Sequence, residues 1–319
     1  MITINPEEFK AAWEQRKQIL EKLGSAAKIV VYTYLICWAV SSVGLILFLV
    51  LKIAGNSFGR PVFYITLAFG VIGWAVRFLG QKYENAMSMK YDGFKADKFC
   101  TKALTAFKKA PFSYETDRIV SENIALSSDK SSKAYLRHLL TGTLLIKGDT
   151  DGAYRLIVND PQLFAENRYF EMMFYYDLVL YYTELAEMGK GSDAVRYAED
   201  SYNNMERVFL ECQDRAKNDY MTMTYFADAQ QLICFMRGEW QNCREIIGMR
   251  FDNLPDKADP LLIAPNKLML AECLYNLGEY KEALRYCDEA GPVLAQISYQ
   301  LDKANRLAGK IHQKLDAAQ

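Results

Sequence analysis

Residues 276–286 read NLGEYKEALRY, and this short stretch decides the predicted fold. An apolar-periodic helix runs into Gly278, a tyrosine follows two residues later, and Ala283 lies five residues later. Glycine adopts the left-handed backbone conformation that ends one helix and begins a tight turn. The small alanine lets a second helix pack closely against the first. The stretch therefore predicts a pair of helices joined by a tight turn.

The same arrangement occurs at three earlier glycines, about one every 40 to 50 residues. Each glycine precedes a small residue by five positions, and the four pairs are Gly148 and Ala153, Gly189 and Ala194, Gly238 and Cys243, and Gly278 and Ala283. One helical pair cannot bury its own apolar face, so repeated pairs stack. We therefore predict an all-α repeat domain over residues 132–319, whose last helix covers the final pair. An irregular helical bundle is the alternative.

These positions resemble the tetratricopeptide repeat family. The fullest match is residues 270–290, where the motif's small and aromatic positions are Leu270, Ala271, Gly278, Tyr280, Ala283 and Ala290. The other three units match in part, and their spacing exceeds the roughly 34 residues of the common repeat. The resemblance implies an α-solenoid with longer helices or loops between its units.

In that family, ligands bind the concave surface formed by the first helix of each pair. The resemblance therefore implies a groove for a protein or peptide partner. Its candidate residues are Tyr135, His138, Tyr176, Thr183, Tyr225, Asp228, Glu272 and Tyr275. Their mixture of aromatic and polar character suits a peptide or a helix. The alternative is that several of these tyrosines pack between units.

Two apolar segments near the N-terminus are long enough to cross a membrane. Residues 29–51 contain no charged residue, and residues 61–80 contain only Arg77. At about 1.5 Å per residue, each segment can cross a hydrocarbon core of about 30 Å. We predict a transmembrane hairpin over residues 29–80 that contacts membrane lipid. A cytoplasmic helix (1–28) precedes it, and a juxtamembrane helix and linker (81–131) follow it.

The distribution of lysine and arginine predicts the orientation of this hairpin. Five precede the first span, two lie in the connecting loop, and five lie between Arg77 and Lys98. Cytoplasmic flanks carry an excess of such residues. We therefore expect an integral membrane protein, in the cell membrane, with both termini in the cytoplasm. The seven cysteines are odd in number and form no CxxC motif, which favours a reducing compartment.

Composition and motifs argue against several classes of function. The chain has 38 basic and 39 acidic residues, so binding to nucleic acid is not expected. The sequence contains no GxSxG, HExxH or GxxxxGK[ST] motif. With two histidines and no CxxC motif, the sequence contains few of the ligands that a zinc site needs. We expect no enzymatic activity, no cofactor and no bound metal.

Together these patterns favour a membrane-anchored scaffold or adaptor that presents cytosolic helical repeats to a partner protein. The alternative is a structural subunit of a membrane complex that assembles through its hairpin. Small residues let transmembrane helices approach closely. Those that motivate the alternative are Ser41, Ser42, Gly44, Gly70 and Gly73.

Overall fold

The computed structural model describes residues 4–91, 94, 96–212, 219–254 and 258–317. Within these ranges there are thirteen α-helices and no strand, so the prediction of an all-α chain is confirmed for them. The helices are α1 (Pro6–Ile53), α2 (Gly59–Tyr91), α3 (Lys98–Lys109), α4 (Tyr114–Leu126), α5 (Lys130–Ile146), α6 (Thr150–Val158), α7 (Arg168–Glu187), α8 (Ala194–Glu211), α9 (Tyr220–Met236), α10 (Trp240–Phe251), α11 (Pro260–Asn276), α12 (Tyr280–Leu294) and α13 (Ser298–Asp316). A short 3₁₀-helix spans Pro161–Glu166.

The chain divides into two compact units. The hairpin unit is Glu14–Lys95, and the helical domain combines Met1–Trp13 with Ala96–Gln319. Helix α1 begins in the helical domain and continues into the hairpin unit.

In the hairpin unit, α1 and α2 each contain a segment that is long and apolar enough to cross a membrane. Only 6% of each segment is buried, so these side chains do not form a buried protein core. The two helices contact each other through small residues. An added Cβ on Gly73 would lie 3.0 Å from the Cβ of Cys37, and one on Gly70 would lie 3.6 Å from the Ser41 hydroxyl. The small residues therefore serve contacts inside the hairpin.

Helix α1 runs without a break through the predicted boundary at residue 28. The predicted N-terminal helix and the first apolar segment are thus one helix, because residues 24–28 (GSAAK) contain no proline and include two alanines. The predicted linker within 81–131 is also largely helical. Ser113 caps α4 by accepting a hydrogen bond from the Thr116 N–H at 3.1 Å.

The first residues of α1 pack into the helical domain. Phe9 is fully buried, and its ring lies 5.5 Å from the ring of Tyr220, centroid to centroid. The Trp13 ring lies 4.9 Å from the same tyrosine. The apolar face of residues 4–13 is therefore covered by protein.

Four helical pairs follow in the helical domain: α5 with α6, α7 with α8, α9 with α10, and α11 with α12. A glycine with positive φ joins each pair, and the angles are 80° at Gly148, 67° at Gly189, 70° at Gly238 and 82° at Gly278. At Gly278 the turn is closed by the Glu279 N–H, which donates to the Leu274 carbonyl at 2.9 Å. The residues five positions after these glycines, Ala153, Ala194, Cys243 and Ala283, are buried.

Helix α13 packs along α12 and then reaches helices much earlier in the chain. The amide of Gln300 donates to the carbonyl of Ile146, at the end of α5, at 3.1 Å. The Tyr299 ring lies against the turn at Gly148, where an added Cβ would approach it to 2.8 Å. The last helix thus joins the last pair to the first two.

Candidate functional site

The helical domain contains a cavity of about 1090 Å³ that is partly open to solvent. The first helices of all four pairs (α5, α7, α9 and α11) contribute to its lining, and α13 forms a further wall. Its apolar lining includes Leu139, Leu180, Leu232, Phe235, Leu268 and Met269. Cavities of this kind, with a few convergent polar groups, are the usual sites of ligand binding.

Six of the eight residues predicted for the groove line this cavity: His138, Tyr176, Thr183, Tyr225, Asp228 and Glu272. The other two, Tyr135 and Tyr275, are not part of its lining. Tyr275 instead packs on Tyr280 at the turn into α12, with ring centroids 5.6 Å apart. The aromatic residues of the site also contact one another, since the Tyr176 and Tyr225 rings are 5.2 Å apart.

His138 and Asp177 form a buried pair at the cavity wall. The Nδ1 atom of His138 lies 2.7 Å from Oδ1 of Asp177, which is only 1% exposed. Burial raises the pKa of Asp177, and the nearby His138 opposes this shift. The imidazole also meets the Tyr225 ring edge-on at 5.1 Å. The pair therefore places an ionisable imidazole and carboxyl beside the aromatic side chains of the cavity wall.

A second polar network centres on Arg250, which belongs to α10. Its guanidinium donates to the Asp228 carboxylate, to Oε1 of Gln231 at 2.5 Å and to Oδ1 of Asn266 at 3.2 Å. The Tyr176 hydroxyl donates to the other oxygen of Asp228. Burial, followed by the charge of Asp228, raises the pKa of Tyr176, so this hydroxyl remains a donor. The network joins α7, α9, α10 and α11 at one point.

Sequence analysis missed Asp177, Gln231, Arg250 and Asn266 as members of the site. The groove was inferred from the first helix of each pair, and Arg250 lies on a second helix. A sequence motif cannot reveal the hydrogen-bond partners of Arg250, because each of these hydrogen bonds joins residues from different helices. An aspartate within the apolar, aromatic stretch of α7 was the one available signal for Asp177.

The part of the cavity beside α13 is rich in charged residues. Lys303 donates to Glu184 at 2.9 Å and to Glu187 at 2.7 Å. Burial raises the pKa of Glu187, although Lys303 opposes the shift. Burial also raises the pKa of Glu272, and the charge of Glu187 adds to this.

Three exposed lining residues, Lys190, Arg306 and Lys310, define what we call the basic rim. None of them forms an ion pair within the part of the chain that the structure describes. The rim therefore carries positive charge that is available to a bound molecule.

Among the described residues, no group of three or more His, Cys, Asp or Glu side chains could hold a metal ion. The polar groups of the cavity can donate and accept hydrogen bonds and pair with charges. In comparisons with known proteins, no family model and no curated protein sequence matches this chain.

Proposed function

We propose that the chain is a membrane-anchored protein-interaction module whose helical domain receives a segment of a partner protein in its cavity. The observation that carries this proposal is that the first helices of all four pairs contribute to one cavity. Its lining mixes aromatic, amide and charged side chains, as sites for peptides do. The resemblance to tetratricopeptide repeats supports the same use of the first helices.

The membrane anchor in this proposal is the hairpin of α1 and α2. Their apolar segments and the excess of lysine and arginine outside the connecting loop support it. In this orientation both termini and the helical domain lie in the cytoplasm. The proposed role is thus to hold a binding domain at the cytoplasmic face of a membrane.

Two features of the cavity favour an extended segment with acidic side chains. Asn266 lines the cavity, and the N–H groups of its side-chain amide can donate to a peptide backbone. The basic rim (Lys190, Arg306 and Lys310) attracts carboxylates. Because α13 forms a wall of the cavity, we expect the segment to enter beside the rim rather than to lie across all four pairs.

Site-specific photo-cross-linking in membranes tests the proposal. A cross-linking residue at Gly142 would lie on the cavity wall, in a position where an added Cβ meets no atom within 4 Å. The matched control is Gly309, which is exposed on α13 outside the lining and is equally free of neighbours. We expect one defined adduct from Gly142, lost in the variant Asp228→Ala, and none from Gly309. Equal adducts at both positions, or none at Gly142, would contradict the proposal.

The alternative of a structural subunit that assembles through its hairpin is less supported. The residues that motivated it, such as Ser41, Gly70 and Gly73, contact the other helix of the same hairpin. Fewer small residues are therefore left for a neighbouring membrane helix.

Catalysis is a second candidate function, because the His138–Asp177 pair resembles the acid–base pairs of enzymes. Mass spectrometry of the cross-linked segment separates the two. A segment that is cleaved or modified only when His138 is present supports catalysis, whereas an unaltered segment supports binding.

A further inference from the structure

The Nε2 atom of His138 is a polar atom on the cavity wall that forms no hydrogen bond with any of the described residues. The other ring nitrogen, Nδ1, lies 2.7 Å from Oδ1 of Asp177. His138 is 8% exposed, and Nε2 is not one of the fully buried atoms that lack a partner. Nε2 therefore faces the cavity, where water or a ligand can bond to it.

Asp177 determines which ring nitrogen of His138 carries the hydrogen. An ionised carboxylate can only accept hydrogen bonds, so the contact places a hydrogen on Nδ1. In a neutral imidazole the other nitrogen is then an acceptor, as in other histidines that a carboxylate holds. Asp177 is buried, so bulk water does not compete for this contact. The pair thus presents the lone pair of Nε2 to the cavity.

The surroundings of this acceptor are aromatic. The centroid of the His138 ring lies 5.8 Å from that of Tyr176 and 5.1 Å from that of Tyr225. Both tyrosines line the cavity, to which Leu139 and Leu180 add aliphatic surface. Aromatic side chains favour a further ring in a tilted or edge-to-face contact. The wall therefore suits an aromatic ring that carries a polar hydrogen.

Among such rings, a phenol matches His138 in both of its protonation states. A phenolic hydroxyl can donate to a neutral imidazole and accept from a protonated one. An indole N–H can only donate, and a carboxylate can only accept. The chemistry of the pair thus favours a phenol over the other two groups.

We propose that His138, Tyr176 and Tyr225 form a subsite for a phenol ring, and that Nε2 of His138 accepts the hydrogen bond of its hydroxyl. That the phenol is the side chain of a tyrosine in a partner segment rests on the proposed function. The subsite itself does not, because a small phenol can test it without any partner.

NMR of the purified full chain with ¹⁵N-labelled histidine tests the subsite, because the chain contains only His138 and His312. His312 is exposed on α13, and the variant His312→Gln assigns the two sets of signals. The spectra are recorded at about pH 8, where an ordinary imidazole, with a pKa of about 6.5, is neutral. We expect His138 to carry its hydrogen on Nδ1 and none on Nε2.

The probe is p-cresol, which has the shape of a tyrosine side chain, and its matched control is the methyl ether 4-methylanisole, which has no hydrogen to donate. p-Cresol should shift the Nε2 signal of His138 upfield and leave His312 unchanged. It should bind about five- to tenfold more tightly than 4-methylanisole, because the ether leaves Nε2 without a donor.

Three results would overturn the subsite: a hydrogen on Nε2 in place of Nδ1, equal binding of the two probes, or no shift of His138 with p-cresol. Any of these, together with a segment cross-linked at Gly142, would reject the phenol subsite and leave the proposed function intact. A shift with p-cresol but no cross-linked partner would support the subsite and count against the proposed function alone.

Discussion

At the scale of single residues, the four helical pairs depend on glycines that hold positive φ angles. These positions could be found from sequence, because the turn needs only a glycine and a small residue at a fixed local distance. The polar groups of the cavity could not be found in this way. His138 and Asp177 are 39 residues apart, and Arg250 meets Asn266 from another helix. Only the packing of helices brings these side chains together.

We expect Gly278→Ala to cost about 1–2 kcal/mol of unfolding free energy, because alanine is strained at positive φ. An added Cβ meets no atom at this position, so strain is the sole cause. The matched control is Gly142→Ala, inside α5 and equally free of neighbours, which should gain about 0.5–1 kcal/mol. Denaturant unfolding of the full chain measures both. Equal effects of the two substitutions would exclude backbone strain as the reason for the glycine.

We expect His138→Leu to cost about 3–5 kcal/mol near neutral pH, because it leaves the buried Asp177 carboxylate unpaired. Adding Asp177→Leu should recover more than half of this loss, since the unpaired charge is removed.

The pH dependence of the single variant gives a second check. Burial raises the pKa of Asp177 above 3.8 in the folded state, and His138 lowers it, so the variant raises it further. The folded variant then binds a proton more tightly than the unfolded chain does. Its stability should therefore fall as pH rises above about 4 and improve on acidification. A deficit that does not shrink as pH is lowered from 7 to about 4 would contradict this explanation.

At the scale of elements, the sequence predicted the two long apolar helices, and the structure confirms that they exist. Length and lack of charge are sufficient signals for this. The continuity of α1 from Pro6 to Ile53 was not predicted, because the change from a charged to an apolar composition near residue 28 looked like a boundary. A change in composition does not end a helix unless a proline or a capping residue is present.

The buried start of α1 gives a prediction for the helical domain. Phe9→Ala should destabilise this domain by about 3–5 kcal/mol, as expected for a fully buried phenylalanine, although residue 9 is far in sequence from residues 96–319. Leu20→Ala, at a half-exposed leucine of the same helix, should cost less than about 1 kcal/mol. Urea unfolding followed by the fluorescence of Trp240 can measure both, once the other tryptophans are replaced by phenylalanine. A similar small effect at both positions would show that the start of α1 is not docked.

At the scale of the whole molecule, the proposed account combines a membrane hairpin with a helical domain that contains a cavity. The two long apolar helices could be predicted from the sequence alone. The wall that α13 adds to the cavity could not be predicted in this way, because the contacts of Tyr299, Gln300 and Lys303 reach residues more than one hundred positions away. A sequence pattern can indicate that the last helix covers the final pair, but not that it also reaches the first two.

The most direct test of this account is labelling of single added cysteines by a membrane-impermeant maleimide, in intact and in permeabilised cells. Ser57→Cys lies in the exposed turn between α1 and α2, and Gly309→Cys lies on the exposed face of α13. If the hairpin crosses the membrane with both termini inside, Ser57→Cys is labelled in intact cells and Gly309→Cys only after permeabilisation. Labelling of both positions in intact cells, or of neither before permeabilisation, would contradict a membrane-spanning hairpin and, with it, the proposed function.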